Sequence, residues 1–100
     1  MISCDGERCK LEGPVNSGNA VATLEEGARL FTLPSITVDL GGLAEVDSAA
    51  ISLLLEWRRA AQRDKRKITY INLPDNLKSL ATLYGVTELL GEAKEDRRET

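Results

Sequence analysis

Asp39, Asp47 and Ser48 are the residues whose type and spacing could do chemistry in this chain. The two carboxylates bracket a short stretch after a β-branched run, where α/β proteins often place ligand sites. They could share acid–base work if the fold brought them together and drove their pKa values apart. Each also has a plainer role, Asp39 at a strand end and Asp47 as a helix cap, and the pattern favours that reading. Ser48 is the more informative hydroxyl. A phosphate there would be favoured by the helix N-terminus, yet would add up to about two negative charges to the surrounding face. Ser48 is therefore a candidate phosphorylation site and switch.

Other chemistry is narrowed by what the chain lacks. It contains no histidine, which removes Ser-His and Cys-His catalysis and any histidine proton relay. Cys4 and Cys9 fit no common zinc spacing, and the expectation is two reduced thiols on neighbouring strands. Gly41-Gly42 alone is too little for a nucleotide loop. No catalytic residue, metal or cofactor is expected, and the chain reads as a non-enzyme.

Composition sets the broad class. One hundred residues with 42% hydrophobic and 29% charged content suit a single globular domain. A net charge of -3 argues against nucleic acid as the partner. No apolar run approaches the roughly 20 residues that span a bilayer, so direct membrane insertion is not expected. The N-terminus lacks the basic and apolar regions of a secretory signal, which makes a cytoplasmic location the expectation.

The elements that must position Ser48 centre on residues 45–63. Asp47 or Ser48 can cap this helix. Ala50, Ile51, Leu54, Leu55, Arg58 and Ala61 form a stripe for the core. Leu53 and Trp57 fall beside it and widen the apolar arc. Few apolar residues remain elsewhere to cover that flank, so Leu53 is expected to meet a partner. Trp57 is open between core and interface. Ser48, Ser52, Glu56, Arg59 and Arg63 make a polar ridge opposite. The helix reads as packed on one side and recognised on another.

Around it the chain alternates strands and helices. Ile2–Cys4 and Arg8–Glu12 read as strands joined at Asp5-Gly6-Glu7, with Gly13-Pro14 breaking the second. A first helix follows with Ala20, Val21, Leu24, Ala28 and Phe31 on one face; Gly27 within it must be held by packing. Ser35–Leu40 reads as a central parallel strand and Gly41–Ala44 as a loop. Arg63, Lys65, Arg66 and Lys67 complement the central helix's C-terminal dipole. Lys67–Leu73 is the next strand. A third helix presents Leu77, Leu80, Ala81 and Tyr84, with Gly85 as a left-handed cap. Residues 86–90 fit a short helix or an edge strand, and 92–100 a charged, flexible tail after a domain over 1–91. The order is β-β-α-β-α-β-α, a mixed sheet covered by helices mainly on one face.

Val38-Asp39-Leu40, Val46-Asp47-Ser48-Ala49-Ala50-Ile51, the leucine-rich helix after it and Leu83-Tyr84-Gly85-Val86 together resemble the STAS domain family. More narrowly they are similar to its MlaB-type branch, the small STAS subunits of bacterial Mla-type phospholipid ABC transporters. The resemblance implies a STAS-type α/β fold and a non-catalytic role. It implies binding to the transporter's cytoplasmic ATPase, and through it to a membrane permease, in support of outer-membrane lipid asymmetry. The protein would then be peripheral to the inner membrane. Partner-binding residues would be Asp47, Ser48, Ala49, Ser52, Leu53, Glu56 and Arg59. In anti-sigma-factor antagonists of this fold the serine matching Ser48 is phosphorylated, so an anti-sigma kinase is the alternative partner. Where the family usually has one or two glycines after the Asp-Ser pair, this chain has Ala49-Ala50. Methyl groups there hinder close approach by a kinase and favour docking.

Overall fold

The computed structural model describes residues 1–90. Strands β1 (Ile2–Asp5) and β2 (Arg8–Val15) precede helix α1 (Ala20–Leu30) and strand β3 (Ser35–Val46). Helix α2 (Ser48–Arg63), strand β4 (Lys67–Ile71), helix α3 (Asp75–Leu83) and the short helix α4 (Thr87–Leu90) complete the order. The sheet runs β1-β2-β3-β4, antiparallel at the first pair and parallel at the other two. Because the crossovers advance in one direction with the same hand, α1 and α2 cover the same face. The registers agree: Cys9, Val38 and Tyr70 pair across the sheet and are all at most 2% exposed. Their neighbours Lys10, Asp39 and Ile71 line the open face.

The β1–β2 turn is tighter than the expected three residues. Asp5 pairs with Arg8, and Gly6 takes the positive φ of 65° that the turn demands. Cys4 and Cys9 face each other in this ladder, 3.9 Å apart at Cα, and form a disulfide. The expectation of two reduced thiols is thereby corrected; direct cross-strand pairing brings the sulfurs together, which spacing alone did not reveal.

Two expected breaks are bulges instead. Strand β2 runs on through Gly13 and Pro14 to Val15, and β3 runs through Gly41 and Gly42 to Val46. The strands stay paired, Glu12 with Gly42 and Val15 with Val46, with register shifts between. Pro14 is tolerated because β1 pairs only as far as Leu11, so one side of β2 is free there. Gly42 is needed for close approach: a Cβ would lie 2.8 Å from the Glu12 side chain.

Helix α1 is rotated from its expected face. Thr23 and Gly27 are buried, whereas Val21 is 65% exposed and Ala28 is also on the surface. A Cβ at Gly27 would come within 2.4–2.7 Å of the Trp57 ring, so this glycine lets α1 settle onto the indole. Trp57 is 2% exposed, donates from Nε1 to the Leu24 carbonyl at 3.1 Å, and meets Phe31 edge-on at 5.1 Å. It is a core residue.

The C-termini of α2 and α3 close in the same way. After α3, Val86 N–H donates to Ala81 and Gly85 N–H to Thr82, with Gly85 at φ +69°, as its sequence position leads one to expect. After α2, Arg66 donates to Ala61 and Lys65 to Gln62, and here the left-handed residue is Lys65. Tyr84 is 51% exposed rather than part of the α3 core face. Within residues 86–90, Val86 leads into α4, whose Leu90 is fully buried. Gly91 and the expected tail, 92–100, lie outside the described residues.

Candidate functional site

The N-terminus of α2 is fixed by Asp47. This residue is extended, and its carboxylate accepts the Ala49 N–H at 2.8 Å, satisfying one of the helix's free donors. The cap is thus Asp47 and not Ser48. Ser48 occupies the first helical position, exposed and unused by the cap. Ser52, Glu56 and Arg59 follow along the same exposed ridge, where Arg59 pairs with Glu56 one turn back. Ala49 is half-buried at the ridge's edge.

Leu53 corrects the expectation. It is only 2% exposed, because α1 covers the flank that seemed unpartnered. What a partner could reach is a shallow groove of about 270 Å³ along the α1–α2 seam. Ala49, Ser52 and Glu56 line one side, Ser17, Ala20 and Val21 the other, with Leu53 beneath. A deeper cleft of about 340 Å³ continues past Leu24 and Glu56 toward the helix C-termini, floored by Trp57, Ile36 and Ile68. The α1 wall, above all Val21, was missed from sequence. The signal was Gly27: taken as a contact for Trp57, it sets the buried face and leaves Val21 outward.

The structure does not unite Asp39 and Asp47. Asp39 pairs with Lys10 and Ile71 in mid-β3, whereas Asp47 follows the strand's end, roughly 25 Å on at the usual rise per residue. Shared acid–base work is excluded by that separation. The Gly41 N–H, 2.8 Å from Oδ1, holds the Asp39 carboxyl below its usual value against the opposing effect of burial. Asn72, 3.2 Å away, and the nearby Arg8 and Lys10 act in the same direction. Such a carboxylate is pinned in its charged form, the opposite of a poised acid.

The basic cluster is mostly engaged in structure. Arg63 lies 3.5 Å from Asp64, Arg66 donates to the Phe31 carbonyl, and Lys65 turns the chain. Among the described residues, no group of three or more Cys, Asp or Glu is placed to hold a metal ion. None of the described helices is long and apolar enough to cross a membrane. The arrangement brings together on one surface a capped helix start, an exposed serine, a polar ridge and a shallow apolar seam beside it.

A family model described as "Mlab, STAS domain" matches residues 7–91. No curated protein matches the sequence. Among solved structures, the anti-sigma factor antagonist SpoIIAA in its unphosphorylated form superposes with a TM-score of 0.73 at 13% identity, over 95% of this chain and 88% of that one. A sulfate transporter family protein from Wolinella succinogenes gives 0.68 at 18% identity, over 85% and 70%. A protein named Mglu gives 0.61 at 22% identity; 77% of this chain is covered, but only 20% of Mglu's length. At such identities the likeness is one of fold.

Proposed function

Since the chain belongs to the MlaB-type STAS domain family, we propose that it is a non-enzymatic subunit that binds the cytoplasmic ATPase of a bacterial Mla-type phospholipid ABC transporter. In that role it supports assembly or activity of the complex and reaches the inner membrane only through its partner. One observation carries the reading: Ser48 stands exposed at the head of α2, relieved of capping by Asp47, with Ser52, Glu56 and Arg59 in line below it. A partner seated there meets small hydroxyls on a helix start whose backbone donors at Ala49 and Ala50 are already satisfied by Asp47, a surface suited to close docking. The test is binding of the purified ATPase to wild type and Ser48→Glu. The proposal expects the charged side chain to weaken binding at least about tenfold, or 1.4 kcal/mol, with an unchanged circular dichroism spectrum. Equal affinity would remove this face from the interface.

A second reading is supported by the same serine and by the likeness to SpoIIAA. An exposed hydroxyl at a helix N-terminus suits a kinase-like anti-sigma partner, which would transfer phosphate to Ser48 and be released by it. Incubation with such a kinase and ATP, followed by peptide mass mapping, separates the two. The transporter reading expects Ser48 to remain unmodified.

A further inference from the structure

We propose that the Cys4–Cys9 bond is a reversible redox clasp that sets how firmly β1 is held on the sheet. Strand β1 is an edge strand, four residues long and paired along one side only. The bond joins it directly across the ladder to β2, at Cys9, which packs in the core beside Val38. Otherwise β1 is anchored by its short ladder, by buried Ile2 and by the N-terminal amine, which donates to the Glu12 carbonyl at 2.8 Å. The two sulfurs differ in access: Cys4 is half-buried, whereas Cys9 is 1% exposed. An attacking thiolate therefore reaches Cys4.

The exchange balances as follows. A small-molecule thiolate bonds to the Cys4 sulfur, the Cys4–Cys9 bond breaks, and Cys9 leaves as a thiolate that takes a proton. A second thiolate attacks the external sulfur of this mixed disulfide and releases Cys4, which is protonated in turn. Two external thiols are oxidised to one disulfide and two electrons pass to the cysteine pair. The proposed cytoplasmic setting keeps thiols reduced, and disulfides in such a compartment are usually transient or sensing. The clasp itself does not depend on which partner the α2 face binds.

The full chain should be equilibrated over graded ratios of reduced to oxidised glutathione, then alkylated and weighed. A two-electron transition between intact and opened pair is expected within that range. Across the same transition, amide exchange in Ile2–Asp5 should quicken at least about tenfold while α2 is unaffected, since local opening at an edge is independent of the core. The double variant Cys4→Ser/Cys9→Ser should exchange like the reduced chain and ignore the glutathione ratio. A pair that stays bonded, or stays open, at every ratio overturns the proposal. So does equal β1 exchange in the two states, measured on wild type whether or not the double variant folds.

Discussion

At the scale of single residues, the division of labour between Asp47 and Ser48 is the informative result. The two are neighbours with side chains that could both cap, and sequence cannot choose between them. The bond from Ala49 N–H assigns the cap to Asp47. Asp47→Ala should therefore lower stability by about 1 kcal/mol, whereas Ser48→Ala should change it by less than about 0.5 kcal/mol. Urea denaturation of both variants checks the pair. Asp39 permits a titration. Its carboxyl is held below the usual aspartate value, chiefly by the Gly41 N–H, so its folded form binds a proton less readily than its unfolded form. Its stabilising contribution is thus fully present above the unfolded value and is lost as pH falls through the lowered folded value. Asn72→Ala removes one of the donors. The Asp39 carboxyl resonance should then titrate at higher pH than in wild type, and the stability lost on acidification should be smaller and complete at higher pH, with its onset at the unfolded value unchanged.

At the scale of elements, Gly27 decides how α1 lies. By propensity alone Gly27→Ala should gain about 1 kcal/mol of helix stability. Here the added methyl would lie only 2.4–2.7 Å from the Trp57 ring, with no flexible chain end to yield, so overpacking wins. The expected outcome is a net loss of about 1–3 kcal/mol, seen as a lower urea midpoint. Lys65 offers the opposite case, a left-handed residue with a Cβ at the end of α2. Lys65→Gly should stabilise by up to about 1 kcal/mol by relieving that conformation. These positions also show what could be read in advance. Strong periodicities gave the alternation of strands and helices, the α2 core stripe and the Gly85 cap. The long-range decisions were hidden: Gly41-Gly42 signals a loop until β2 is known to run alongside, and Gly27 signals weakness until Trp57 is known to lie beneath it. The turn at Asp5-Gly6-Glu7 placed the cysteines on adjacent strands but could not say that they sit opposite one another.

At the scale of the whole molecule, α1 and α2 share one face of the sheet, so the proposed docking ridge on α2 is continuous with the seam between them. That changes what two substitutions should do. Leu53 lies beneath the seam at 2% exposure, so Leu53→Asp would bury an unpaired charge costing several kcal/mol. It should unfold the domain, much as Leu54→Asp would, and loss of binding by that variant would say nothing about an interface. Val21 sits across the groove at 65% exposure and contributes little to the core. Val21→Asp should leave stability within about 0.5 kcal/mol of wild type, a shift of no more than roughly 4 °C in Tm for a domain of this size. If the partner covers the seam, the same change places a charge in an apolar contact and should weaken ATPase binding about tenfold or more. Paired thermal melts and binding isotherms decide it. Unaltered affinity for Val21→Asp, with weakened affinity for Ser48→Glu, would confine the interface to the α2 ridge and leave the seam uncovered.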